Sequence, residues 1–540
     1  MTAGPGSKRF DPANYVGVGD LLALHRLRDP AKPALVDLDR GVTLSFGVLA
    51  GLVDSVALQM WGRGVRKGSR VLLHLDNSIE KLVVWFALWR IGAVVCPLDL
   101  SFIRATASQV LQTIEPDLVV TDASWSGQNF LQQLSAPIIY CDEWRPDHQP
   151  AAADSTTIGF CMLPEGASTD HLTAPAAGDL ACLCCTSGTS GLPKIVAYDH
   201  YAYWQNGVDS IELLALDCDD RTLEYRALGW YSAQILSVMP FLQLGLTLHL
   251  ARRFSRRKLP DWIEQHRITV CVGVPAVINI LLNAPVPQAR QKLATLRTMT
   301  CSTAPLPLTH WRQFEEVYGV PVTNLYGSSE TGWICGNRPA ARRIGTVGQP
   351  VGSVHLSLPD EAATAPEGSK TGRITVSGDK LALGYLQSDG SLQAIRGQPF
   401  AMNDIATMDA DGYVRIFGRS DDLIMRGGVK ISPVEIEDVV LAHPDLVDAG
   451  VVAMPDPVFG HQVVCLAVAR LGCQPQPDQI VSHCADRLPK EKVPADVLMV
   501  DELPRNPHGK LLRRQLPDLY RSRSNGTAAT PASAADAAGA

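Results

Sequence analysis

Short apolar runs alternate with longer stretches in which apolar positions recur every three or four residues, and this alternation continues along most of the chain. Residues 71–75 read as a buried strand, and Asn77 and Ser78 can cap a helix whose Ile79, Leu82, Trp85, Phe86 and Trp89 share one apolar face. The strand pattern resumes over 92–97, and further buried strands are predicted at 117–121, 138–140, 180–184 and 268–273, with helices between them such as 259–266. Strand and helix in repeated alternation imply largely parallel α/β sheets.

From Gly372 the texture changes to short β-rich runs with closely spaced turn signals, which predicts a small β-rich subdomain that takes in Gly384 and Tyr385. A charged connector, residues 419–422, then leads into a separate α/β pattern that ends near Leu516. The expected organisation is a large domain over 1–418, a small domain over 419–522 and a disordered tail over 523–540, which is Ala/Thr/Ser-rich and lacks apolar periodicity.

Composition adds limits. At 540 residues the chain is too long for one core, and 46% apolar with 19% charged residues fits a globular protein. A net charge of −7 argues against a general nucleic-acid binder. The densest apolar segment, 236–250, is shorter than a membrane span and contains Gln243 and His249. No apolar run follows the first charges, so a cytoplasmic protein without a membrane span is expected. Thirteen cysteines, an odd number scattered over a long chain, read as reduced thiols, and Cys182, Cys184 and Cys185 lack neighbours at metal-ligand spacing.

Four segments carry candidate chemistry. Residues 184–194 combine Thr186, Ser187, Thr189 and Ser190 hydroxyls with Gly188 and Gly191, and end on Lys194. Consecutive backbone N–H groups there can converge on an anion, although the spacing is not that of the common nucleotide-triphosphate loop and a surface turn would have a similar composition. Residues 324–332 place the Tyr326 ring, Gly327, two hydroxyls and the Glu330 carboxylate together, a set suited to a planar base and to Mg²⁺ on phosphates, or to a plain capped turn. Residues 418–437 bring Arg419 and the pair Gly427 and Gly428 to the predicted domain boundary, and residues 503–514 carry Lys510 in a Pro-rich loop.

Taken in order, these segments resemble those of the adenylate-forming superfamily of acyl- and aryl-CoA synthetases, stand-alone adenylation enzymes and luciferases, and the resemblance runs from about residue 30 to 516. It implies a large N-terminal AMP-binding domain of two packed αβ sheets plus a β-rich subdomain, and a small mobile α+β C-terminal domain. The implied reaction uses ATP and Mg²⁺ to convert a small or medium carboxylic acid to an acyl-adenylate, with pyrophosphate release, and then passes the acyl group to CoA. Loading of the phosphopantetheine of an acyl or peptidyl carrier protein is the alternative acceptor, and a non-catalytic nucleotide-binding protein is the alternative of another class.

By the same resemblance Thr186, Ser187, Gly188, Thr189 and Lys194 form the phosphate loop, and Thr303, Ala304 and Pro305 lie against adenine. Tyr326 stacks on the base, Ser329 contacts phosphate, Glu330 holds Mg²⁺, Asp404 holds the ribose hydroxyls with Arg419 assisting, and Lys510 reaches the carboxylate and α-phosphate. Asp421 is the hinge, and the Gly428 region lines the thiol tunnel after a domain rotation. The acid pocket is drawn from Trp230, Tyr231, Ser232, Val274, Cys301, Ser302, Tyr326 and Gly327, and the absence of an aspartate in its first stretch disfavours a free α-amino acid. A basic cluster over 252–258 is a candidate contact for CoA phosphates or a solvated face.

The chain departs from the family pattern in three places. The usual Thr-Gly-Asp is Met402, Asn403 and Asp404, the usual Gly-Glu is Gly372 and Arg373, and the hinge-motif lysine is Met425.

Overall fold

The computed structural model describes residues 15–98, 100, 104–122, 131, 135–145, 156–163, 167–186, 193–359, 370–506 and 509–524. The chain is α/β, as the pattern predicts. Two nine-stranded sheets dominate. In the first, the parallel strands Pro33–Asp37, Thr247–Leu250, Arg221–Glu224, Val270–Cys271, Thr298–Cys301 and Val322–Ser328 lie side by side in that order, and the antiparallel Gly332–Gly336 continues the sheet beyond the last of them. In the second, Leu180–Cys185 joins the parallel run of Val94–Pro97, Arg70–His74, Leu118–Thr121 and Ile138–Cys141 to the antiparallel Ile195–Asp199.

The helices Phe46–Gly62 and Ile79–Arg90 pack on one another, and their side chains share one core with residues of both sheets. Ser78 caps the second helix through Lys81 N as predicted, but the helix is buried on every side except at Arg90 rather than on one face alone. A helix enclosed on all sides buries even its charges, and each finds a partner. Glu80 is held by the Arg40 guanidinium at 2.9 and 3.1 Å, and Lys81 donates to the Leu75 carbonyl at 2.8 Å.

The β-rich part is a four-stranded antiparallel sheet of His355–Ser357, Lys370–Ser377, Phe400–Met408 and Val414–Arg419. Gly384 and Tyr385 do not belong to it. The strand Gly384–Leu386 instead pairs with Ile195–Asp199 and extends the second large sheet, which brings Tyr385 beside Lys194.

The four-stranded sheet ends at Arg419, and a separate apolar cluster begins at Ile424. This small unit contains a three-stranded sheet of Leu446–Asp456, Gly460–Ala469 and Asp496–Met499, flanked by the helices Pro433–Val440 and Pro477–Ala485. The last helix runs Leu516–Ser524, so Arg523 and Ser524 are helical where the sequence reading began a disordered tail; residues 525–540 lie outside the described residues. All thirteen cysteines are free. Among the described residues no helix is long and apolar enough to cross a membrane.

Candidate active site

A cavity of about 810 Å³ lies between the large and small units and draws its lining from both. Tyr326 stands near the end of Val322–Ser328, where a bulge after it fits Gly327: a Cβ on Gly327 would lie 2.1 Å from the Gly332 carbonyl oxygen. The Tyr326 hydroxyl donates to Asp404 Oδ2 at 2.6 Å. Burial, then the Asp404 charge, pushes the Tyr326 pKa up, so the phenol remains a donor. Asp404 pairs across the antiparallel ladder with Arg419, whose guanidinium turns onto Asp421 at 3.0 and 3.1 Å.

Thr303, Ala304 and Pro305 follow the strand Thr298–Cys301 and line the same cavity. Thr303 has φ of +76°, a conformation that costs a non-glycine residue energy and that tends to occur where a ligand constrains the chain.

Lys510 enters from the small unit on a tight turn. Its backbone N–H donates to Asn506 Oδ1 at 2.9 Å and its carbonyl accepts from Asn506 N at 3.0 Å. Gly509 in that turn has φ of +78°, and a Cβ there would lie 2.9 Å from Ala276 Cβ on the large-domain helix Pro275–Asn283. Glycine is thus required twice over, by conformation and by the close approach of the two units. Burial, and next the Arg419 charge, lowers the Lys510 pKa, while Asp404, Asp422 and Asp421 act to raise it. Burial thus weakens the hold of this amine on its proton, and the three carboxylates nearby strengthen it.

The loop between Leu180–Cys185 and Ile195–Asp199 is closed at its base: Thr186 N donates to the Lys194 carbonyl at 2.8 Å, and Lys194 N to Thr186 Oγ1 at 3.2 Å. The segment therefore joins two antiparallel strands, not a strand and a helix. Ser187, Gly188 and Thr189 lie outside the described residues. Lys194 Nζ sits 4.4 Å from the centre of the Tyr385 ring, and the Tyr385 hydroxyl donates to Glu330 Oε1 at 2.7 Å. Tyr385 thus joins the two charged residues assigned to phosphate and metal. The Ser329 carbonyl accepts from the Tyr198 hydroxyl at 2.5 Å.

At the other end the lining includes Trp230, Tyr231, Ser232 and Ser302. Tyr231 stacks on Tyr198, with ring centres 4.0 Å apart and planes 12° from parallel. Asn206 donates to the Tyr231 hydroxyl at 3.2 Å and accepts from Trp333 N at 3.0 Å. Beneath it Lys380, fully buried, is paired with Asp209 at 2.5 Å and donates to the Trp333 carbonyl. Ser302 is 2% exposed, and its Oγ has no hydrogen-bond partner among the described residues. Val274 and Cys301 are buried but do not line the cavity, because Cys301 faces the core from its strand and the following residue turns toward the opening.

Gly428 also lies off the cavity lining. With Gly427 it forms the two-residue turn of a hairpin, Ile424–Arg426 with Val429–Ile431, both glycines having positive φ, and among the described residues nothing lies within 4 Å of a Cβ placed at Gly428. Arg253, Lys258 and Arg252 of the basic cluster pair with Asp76 at 2.7 Å, Asp39 at 3.4 Å and Glu143 at 3.7 Å.

Sequence reading missed Tyr385, Asn206, Lys380 and Arg373. Only Arg373 carried a signal, as a departure from pattern; the others depend on contacts between distant segments.

The AMP-binding enzyme family matches residues 24–386, and the AMP-binding enzyme C-terminal domain matches residues 435–510. The chain is 29% identical to the sulfoacetate–CoA ligase of Cupriavidus necator over 517 residues, covering 94% of this chain and 99% of that one. It is 30% identical to the 2-succinylbenzoate–CoA ligase of Geobacillus kaustophilus over 475 residues, covering 86% and 91%. The crystal structure of ATP-bound MatB from Rhodopseudomonas palustris superposes with a TM-score of 0.80 at 26% identity, covering 94% of this chain and 100% of that one. An anthranilate CoA ligase in complex with anthranoyl-AMP shares the fold at a TM-score of 0.82 and 22% identity, covering 96% and 100%.

Proposed function

This chain belongs to the AMP-binding enzyme family, and we propose that within it the protein is an AMP-forming carboxylate–CoA ligase acting on a small or medium organic acid. The acid's carboxylate attacks the α-phosphorus of ATP and pyrophosphate leaves. The thiol of CoA then attacks the acyl carbon of the mixed anhydride, AMP leaves, and a thioester remains.

Two anions must meet in the first step, so the work of the protein is placement and charge compensation. Lys510 supplies a cation between carboxylate and α-phosphate. Asp404 accepts hydrogen bonds from the ribose hydroxyls, Tyr326 and the segment 303–305 enclose the base, and Thr186 with Lys194 frames the polyphosphate. Glu330 is the carboxylate that would hold a divalent ion. Mg²⁺ bound there would neutralise charge on the leaving pyrophosphate. Residues 1–418 would bind nucleotide and acid, and residues 419–522 would turn about Asp421, withdrawing Lys510 so that the thiol can enter past Gly428. Thirteen free thiols fit a reducing compartment, and we place the reaction in the cytoplasm.

The single observation that carries this reading is the Lys510 amine, brought by the small unit into a cavity whose other wall holds Asp404 and Glu330. Pyrophosphate release across a panel of acids, with and without CoA, tests it. Release that requires an acid, followed by CoA-dependent AMP formation, is expected; nucleotide binding with no turnover on any acid would favour a sensor.

A further inference from the structure

Two of the departures from the family pattern touch one another. Arg373 lies on Lys370–Ser377 opposite Ile405, and two residues later Thr375 lies opposite Ala401. Three residues of the partner strand, Met402, Asn403 and Asp404, therefore face the single residue Ile374. This three-against-one bulge lifts Asp404 out of the regular ladder on that side, and Asp404 lines the cavity.

A bulge orphans backbone groups, and here one side chain takes up a carbonyl and also holds the neighbouring side chain. Arg373 Nε donates to the Met402 carbonyl, and Nη2 donates to Asn403 Oδ1 at 2.8 Å. On the opposite edge the Asn403 carbonyl accepts from Ser420 N at 2.7 Å. The strand is thus gripped from both sides one residue before the carboxylate that accepts from Tyr326. A glutamate at position 373 has no N–H to give to a carbonyl, so the exchange to arginine and the exchange to Met402 and Asn403 form one physical unit.

We infer that Arg373 is a positioning residue for nucleotide binding: through Met402 and Asn403 it fixes the bulge that aims Asp404 at the ribose hydroxyls of ATP. The inference rests on the assignment of Asp404 to the ribose. Arg373 is exposed on the sheet surface, so its loss acts on the bulge and leaves the apolar core intact.

Steady-state pyrophosphate release by the full chain, with ATP and with 2′,3′-dideoxy-ATP, tests the inference. For Arg373→Ala the expected result is a KM for ATP raised ~5–20-fold with kcat within about twofold, and a KM for the dideoxy nucleotide changed less than about twofold. Arg373→Lys should restore part of the loss, and Arg373→Glu should deepen it. Asn403→Ala should show the same loss confined to ATP, and the double variant Arg373→Ala with Asn403→Ala should be no worse than the more affected single one. An equal rise in KM for both nucleotides, or a fall in kcat alone, would overturn the positioning role. A wild-type enzyme that binds both nucleotides equally well would instead remove the ribose assignment of Asp404, and the inference with it.

Discussion

At the end of the cavity that holds Asp404 and Glu330, side chains from short motifs meet partners directly: Tyr326 on Asp404, Tyr385 on Glu330, Arg419 on Asp421. At the other end the wall is built in layers. Tyr231 and Trp333 face the cavity, Asn206 ties them together, and Lys380 with Asp209 lies underneath, fully out of water. Gly332 belongs to this packing, since a Cβ on it would fall 1.9 Å from Asn206 Oδ1. A nucleotide is the same for every member of such a family, so its site can be met by fixed residue types at fixed spacing. An acid pocket is shaped by volume and by second-layer support, which many combinations can supply.

Four variants would sharpen or break that contrast. Lys380→Ala leaves the Asp209 carboxylate in the core without its ammonium partner, and should lower unfolding free energy by about 3–5 kcal/mol, measured by urea titration; an unchanged midpoint would mean that the pair is not what supports this wall. Lys510→Ala should reduce adenylate formation by roughly 10²–10³-fold, as loss of a transition-state charge contact does elsewhere. Thioester formation from supplied acyl-adenylate should be largely retained, and an equal loss of both steps would deny this lysine its separate role. Asn206→Ala should raise KM for the acid about tenfold while KM for ATP holds, because the lost hydrogen bonds orient only the far wall.

The smallest effect lies at the seam between the two units. The Asp438 carboxylate of the helix Pro433–Val440 accepts from Leu308 N, the first residue of the large-domain helix Leu308–Tyr318, which lacks a cap of its own. Burial raises the Asp438 pKa to about 6; the Leu308 N–H and Arg415 oppose the shift, and Glu437 and Glu435 add to it. The usual carboxylate value is about 3.9, so the folded protein binds this proton more tightly than the unfolded chain does. Stability from this group therefore falls as pH rises between about 4 and 6, and above 6 the cost of the buried charge is fully present. Asp438→Asn keeps an acceptor without the charge. It should flatten the thermal midpoint over pH 4–6 and raise it slightly at pH 7.5; a wild-type slope in the variant would show that another group carries the dependence.

The same contrast governs how far the sequence could be read. Tyr326 and Glu330 stand out in the sequence because a ring, a glycine, hydroxyls and a carboxylate fall together, Asp404 and Lys510 only through the family resemblance, and all four line the cavity. Asn206 and Lys380 were not, because they act across 174 residues of chain through contacts that no local pattern encodes. Cys301 and Val274 illustrate the reverse error. They stand in stretches that do reach the pocket, yet Cys301 faces the core from its strand, and Val274, buried just before the helix Pro275–Asn283, leaves the lining to Pro275 and Ala276. The helix Ile79–Arg90 was found from its period, but its complete burial follows from the packing of two sheets around it, and the strand of Tyr385 changed sheets for tertiary reasons only.

The turn that carries Lys510 rests on Ala276 of the other unit, and the residues on either side of it complete the cavity wall. Anything that fills the space between them acts as a strap across the connector at 419–422. A tightly held adenylate mimic would therefore shield that connector from proteases in proportion to its occupancy, and a cleavage time course would report binding without any assay of turnover.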